Sequence, residues 1–172
     1  MAKIIISVLF GSWPQADGTV NPIEWEVLKQ DGNKALLISK NSLTQRRFDE
    51  DSNVWADSEI RCWLNNELLN SAFTDDEKAT ILETKQPDMG TTDKVFLLSC
   101  EEAETLFNGN KARCVKFGRA YRSWWLRSPG SYQDDEAGVY PDGSLTYFNV
   151  RYNRGVVRPA LWVNLDSDIF KS

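Results

Sequence analysis

Between Ser131 and Arg154 the chain carries Tyr132, Gln133, Asp134, Asp135, Tyr147, Asn149, Arg151, Tyr152 and Asn153 in short segments bounded by turns. Tyrosine offers a large, rigid contact surface with few rotors and a polar tip. Asn, Gln and Asp adapt their hydrogen bonds to what they meet, and together these residue types make a recognition surface. The plainer reading of the same residues is a solvated hairpin. Low apolar content between turns favours the first reading, and these residues are the expected ligand contacts.

Catalysis has few residues to work with. The chain has no histidine, which removes Ser-His-Asp and Cys-His pairs, HExxH zinc sites and facial iron triads together. Cys62, Cys100 and Cys114 are widely spaced with no CxxC, so neither a disulfide framework nor a zinc site is signalled. Cys62 falls among apolar helix positions and reads as a core thiol. Cys100 stands at a helix start, where a thiol pKa can fall, yet a structural role is expected. Asp134-Asp135-Glu136 with Asp142 offers carboxylates of the kind calcium takes, and Gln86-Pro87-Asp88 spells a tripeptide that sugar-binding C-type lectins use around that ion. Neither has the spacing or partner motif of a calcium site. The chain is therefore expected to be no enzyme, and to need no metal and no cofactor.

From Glu104 to Asp134 no acidic residue intervenes, while Lys111, Arg113, Lys116, Arg119, Arg122 and Arg127 alternate with Phe117, Tyr121, Trp124 and Trp125. Basic residues interleaved with aromatics suit single-stranded nucleic acid. Against this, the net charge is −5, Trp124-Trp125-Leu126 reads as strand core, and Arg127 and Arg158 can pair internally with carboxylates. Nucleic acid is not the expected partner, and weak binding through residues 111–127 stays as an alternative. Trp13, Trp25, Trp55, Trp63 and Trp162 lie mostly in apolar patterns and are expected in the core.

The elements that would position these groups follow from periodicity. Lys3 to Phe10 and Ile23 to Lys29 read as strands, and Asp31-Gly32-Asn33 turns into a third over Lys34 to Ser39. After a polar loop, Gln45 to Asn53, Asp57 or Ser58 caps a helix carrying Ile60, Trp63, Leu64, Leu68 and Leu69. Thr74 caps a second helix ending near Leu82; Gln86 to Asp93 is a loop; Lys94 to Leu98 is a buried strand; and Ser99 with Glu102 boxes a third helix through about Phe107. Then come Ser123 to Arg127, Ala137 to Tyr140, Leu145 to Val150 and Val156 to Asn164, linked by Gly- and Pro-containing turns. Strands, helices, then strands make an α+β domain over residues 1–172, with first and last strands in one sheet. No stretch nears the roughly 20 apolar residues of a membrane span, and Ile4 to Phe10 reads as a strand rather than a signal peptide. The expected place is cytoplasmic or on a phage particle.

Trp124-Trp125-Leu126-Arg127-Ser128-Pro129-Gly130, Ala137-Gly138-Val139-Tyr140 and Gly155-Val156-Val157-Arg158-Pro159-Ala160-Leu161-Trp162 resemble a bacterial domain family common in Firmicutes and their phages. Phe10 to Gln15, Pro22 to Leu28, Ala35 to Lys40, Arg61 to Asn65 and Thr92 to Ser99 extend the likeness along nearly the whole chain. The closing strands also resemble the formylglycine-generating-enzyme-like branch of the C-type lectin fold. That resemblance implies a C-type-lectin-like, α+β fold with two to three helices between N-terminal and C-terminal strands. The enzymes of that branch need a close cysteine pair for copper or histidines for iron, which this chain lacks. The variable proteins of diversity-generating retroelements, in the same branch, imply a display role for residues 131–154 with a protein or surface glycan as partner. A structural or accessory module of a larger bacterial or phage assembly is the alternative, and the oligomeric state stays open.

Overall fold

The β-branched and aromatic runs at the two ends of the chain close into one sheet. In the computed structural model, which describes residues 5–15 and 17–171, β1 (Ser7–Pro14) pairs antiparallel with β2 (Val20–Asp31). Lys3 and Ile4 of the expected first strand lie outside the described residues. Gly32, at φ 59°, makes the turn into β3 (Lys34–Ser39), so that Asp31 faces Lys34 as the Asp-Gly-Asn sequence predicts. A two-residue strand, β4 (Thr44–Gln45), follows.

Ser58 caps α1 (Glu59–Trp63) by accepting the Arg61 N–H, and the helical path continues through a π turn, Leu64–Leu68, into α2 (Leu69–Ala72). Ile60, Trp63, Leu64 and Leu68 are buried, the face the apolar spacing predicts. Thr74 with Glu77 and Ser99 with Glu102 close capping boxes that open α3 (Asp75–Thr80) and α4 (Cys100–Thr105). Between them β5 (Thr84–Gln86) and β6 (Thr91–Asp93) form a small hairpin where a loop is expected. Val95 to Leu98 are buried as expected but form no strand, meeting the sheets at the Phe96–Ala160 bridge and where the Arg127 N–H donates to the Leu98 carbonyl at 2.9 Å.

α5 (Asn110–Arg113) and the hairpin β7 (Val115–Phe117) with β8 (Ala120–Arg122) precede the main C-terminal strands. These are β9 (Trp124–Pro129), β10 (Asp135–Val139), β11 (Leu145–Asn149), β12 (Val156–Val157) and β13 (Ala160–Asn164). β13 joins the first sheet beside β3, in the order β1-β2-β3-β13. The second sheet runs β11-β10-β9-β12-β4 and is antiparallel except between β12 and β9.

This arrangement corrects the expected α+β, C-type-lectin-like fold. Strand makes up 39% and helix 22% in curled antiparallel sheets with few short helices, so the fold is β-rich. No α-helix among the described residues exceeds six residues. The end of α3 is set by tertiary contacts. Ile81, just past α3, bridges to Val163, and Leu82 N–H donates to the Trp162 carbonyl at 2.9 Å. The short hairpins escape periodicity because three-residue strands hold too little alternation to read.

Arg158 locks the two sheets together. Its guanidinium lies 5.1 Å from the Trp124 ring and 5.4 Å from the Phe107 ring, and Nε donates to the Ser39 carbonyl at 2.7 Å. Glu26 stands 3.6 Å away. Burial lowers its pKa to about 10 despite the Glu26 charge. Arg127, almost as buried, pairs with Asp88 and Glu102 and donates to the Leu97 carbonyl, which takes both family-motif arginines into internal contacts.

Candidate ligand-binding face

The hairpin of β10 and β11 keeps strict register from Asp135 opposite Asn149 to Val139 opposite Leu145. At its tip Tyr140 N–H donates to the Ser144 carbonyl, and Asp142 accepts both the Ser144 N–H and its hydroxyl. Those two bonds hold the Asp142 carboxyl below its ordinary pKa. Gly143, at φ 86°, has no room for a side chain, since a Cβ there would stand 1.7 Å from the Asn110 carbonyl oxygen.

The loop before β10 is held from outside. Asn53 donates its side-chain N–H groups to the Tyr132 carbonyl at 3.0 Å and the Asp135 carbonyl at 2.9 Å, and its backbone N–H to the Gln133 carbonyl at 2.9 Å. The Asp134 carbonyl accepts the Val150 N–H, and the Asp134 carboxylate accepts from the Asn149 amide at 3.2 Å. Asn149 in turn accepts the Arg151 N–H, while Arg151 Nε reaches the Glu50 carbonyl at 2.6 Å. The backbone of the face is thus fixed by hydrogen bonds, and the tyrosines are left free of that task.

Tyr132 is 71% exposed and Tyr147 is 57% exposed. Both stand near Gly130, Tyr132 in sequence and Tyr147 in space. Tyr147 lies against Gly130, where an added Cβ would meet its Cδ1 at 3.1 Å and the Asp135 Cβ at 2.7 Å, and Gly130 opens the loop that carries Tyr132. Asp134, Asn149 and Arg151 stand exposed around them, Asp135 is half-buried, and Gln133 and Asn153 are exposed in the flanking turns.

Tyr152 does not join them. It is half-buried, stacked on Phe148 with centroids 5.1 Å apart, and edge-on to Trp125 at 6.4 Å. Phe148 points to the opposite side of β11 from Tyr147, so Tyr152 is part of the support beneath the face. Trp125 anchors that support, meeting Phe48 at 5.8 Å and Phe148 at 5.9 Å and donating its indole N–H to the Arg46 carbonyl at 2.9 Å. Tyr140, half exposed, packs edge-on against Phe148 from the hairpin tip. Sequence reasoning names neither Asn53 nor Tyr140 as part of the face. Nothing local marks Asn53, whose partners lie about eighty residues away in sequence.

The other constellations disperse. Glu136 is buried while Asp134 is exposed, and among the described residues no group of three or more His, Cys, Asp or Glu gathers to hold an ion. Asp88 is engaged by Arg127. In the basic stretch Arg113, Trp124, Trp125 and Arg127 are buried, leaving Lys116 over the Tyr121 ring on the small β7–β8 hairpin as its exposed aromatic contact. Cys62 is exposed, which corrects the expected core thiol, because its position turns off the apolar face of α1. Burial pushes the Cys100 thiol up despite its helix-start position and the Ser128 hydroxyl. Trp25 and Trp55 are fully buried and Trp63 nearly so, while Trp13 and Trp162 are half-buried.

Concavities of 380–540 Å³ are formed by other segments, such as the one lined by Trp63, Cys62 and Arg46. No helix among the described residues is long and apolar enough to cross a membrane. The model of a family described as a domain of unknown function, DUF6273, matches residues 32–165. No curated protein and no solved structure matches the chain.

Proposed function

The chain belongs to the DUF6273 family, a domain of unknown function, and from that premise we propose that it is a non-catalytic binding domain recognising a protein or surface glycan through residues 131–154. The observation that carries this reading is the presence of two exposed tyrosines, Tyr132 and Tyr147, on a backbone that hydrogen bonds from Asn53, Asp134 and Asn149 hold fixed. Aromatics presented on a preorganised frame bind with little loss of conformational freedom. The display role implied by the likeness to retroelement variable proteins rests here on these residues alone, without the lectin fold. Absence of histidine and a Cys100 thiol pushed up by burial favour binding over catalysis.

The test pans the purified chain against an array of bacterial surface glycans and a displayed library of defined protein domains, then compares Tyr132→Ala/Tyr147→Ala with the unaltered chain. Because exposed positions usually change stability by no more than about 0.5 kcal/mol each, the double variant keeps its melting temperature. Interface hot-spot aromatics are worth roughly 2 kcal/mol or more, so affinity falls about 30-fold or further. Equal affinity for every captured partner, or unfolding of the double variant, would refute the assignment. Tyr152→Ala serves as the contrast: it is expected to lower stability through the lost stack on Phe148.

A further inference from the structure

We infer that the open edge of β11 pairs with β11 of a second copy of this chain, joining two five-stranded sheets about a twofold axis at Tyr147. The edge can be read from its hydrogen bonds. In an antiparallel pair, residues that exchange hydrogen bonds alternate with residues that do not. Tyr140 N–H bonds the Ser144 carbonyl at one end and Val150 N–H bonds the Asp134 carbonyl at the other, and the register between them steps through Gly138–Thr146 and Glu136–Phe148. Leu145, Tyr147 and Asn149 are therefore the positions whose N–H and C=O point away from β10. The Asn149 carbonyl accepts the Tyr152 N–H; the outward groups of Leu145 and Tyr147 have no partner among the described residues.

The other long edge, β13, is covered by bridges from Ile81 and Phe96. The β5–β6 and β7–β8 hairpins are only three residues a strand, and the remaining two edges are blunted. β1 is interrupted by a register shift between Leu9 and Ser12 and ends in Pro14, and β4 is two residues long. β11 reads Leu-Thr-Tyr-Phe-Asn, without charge, proline or bulge, and so lacks the devices that keep edge strands apart. It is also self-complementary. With Tyr147 opposite the second copy's Tyr147, each N–H meets the other's C=O, and Leu145 comes opposite Asn149. The charges beyond the strand agree with this register, which carries the Arg151 end of one copy to the Asp142 end of the other. Both residues are exposed, and Asp142 is held charged by its Ser144 bonds. Strand pairing uses main-chain groups in the plane of the sheet, so the Tyr147 rings stay on its face, side by side.

Sedimentation velocity on the chain alone, from low micromolar to near-millimolar concentration, tests this without any ligand and so independently of the proposed function. The unaltered chain is expected to shift from monomer to dimer with concentration. Tyr147→Pro removes an outward N–H, which edge strands tolerate, together with an exposed ring, and should leave a folded monomer by circular dichroism. Asp142→Arg and Arg151→Asp should each weaken the dimer, and the two together should restore it. A chain that stays monomeric throughout overturns the inference and leaves the edge to an extended segment of another protein. A dimer that survives in folded Tyr147→Pro, or a double charge reversal no better than the single ones, also overturns it.

Discussion

Replacing Trp125 with alanine is expected to lower the unfolding free energy by about 3–5 kcal/mol, the range for truncating a large core aromatic. The ring is 1% exposed and is enclosed on several sides. Phe48, Phe148 and Tyr152 meet it at 5.8, 5.9 and 6.4 Å, and a Cβ on Gly155 would stand 2.4 Å from its indole nitrogen. Little of that volume can be refilled, because the neighbours are rings and backbone rather than flexible chains. The indole N–H bond to the Arg46 carbonyl is lost as well, leaving an acceptor that must find water. For a domain of this size each kcal/mol moves the melting temperature by roughly 2–4 °C, so a fall on the order of 10 °C is expected by differential scanning calorimetry. A melting temperature within about a degree of the unaltered chain would show that the ring does not carry the sheet that supports the candidate face.

The second large effect has the opposite sign. Glu136→Gln is expected to stabilise the chain by roughly 3 kcal/mol near pH 7. Glu136 is 0% exposed on β10, and neither carboxyl oxygen has a hydrogen-bond partner. Burial first, and the nearby Cys100 thiol group second, push its pKa up to about 10 from an ordinary 4.5. The folded chain thus holds a proton that the unfolded chain releases above its ordinary pKa. That contribution is fully present below pH 4.5 and is lost progressively as pH rises through about 10. Glutamine has the same shape and no proton to lose. Urea unfolding at about pH 5 and about pH 9 should therefore show the unaltered chain losing stability over an interval in which Glu136→Gln loses less. Parallel pH profiles for the two proteins would mean that Glu136 is ionised in the fold and that a cation or water satisfies it.

Much of the local structure is legible in the sequence because it is written in short-range chemistry. The Asp31-Gly32-Asn33 turn, the Ser58 cap and the boxes Thr74–Glu77 and Ser99–Glu102 depend on residues within a few positions of one another. The balance of helix to strand is not legible in that way. It is decided by contacts such as Ile81 with Val163 and Phe96 with Ala160, far apart in sequence, and the resemblance to a lectin-like α+β fold misjudged it. The candidate face is legible in composition and illegible in layout. Tyr132, Tyr147 and Tyr152 look alike in the sequence; Tyr147 faces away from Phe148 on β11, while Tyr132 and Tyr152 lie in loops, and only packing against Phe148 and Trp125 separates Tyr152 from the exposed pair. Asn53, which ties down the loop, lies just before the first helical segment, about eighty residues from its partners, and carries no local sign of that role.

The proposed binding role puts the partner contact at residues 131–154. Hydrogen–deuterium exchange on the chain with and without a partner captured from the glycan array or domain library tests it most directly. Protection concentrated in residues 131–135 and 145–151, with the β7–β8 hairpin and the groove beside Trp63 unchanged, is the predicted result. Protection confined to residues 111–122 or to the Trp63 groove, with the candidate face exchanging as in the free chain, would contradict it.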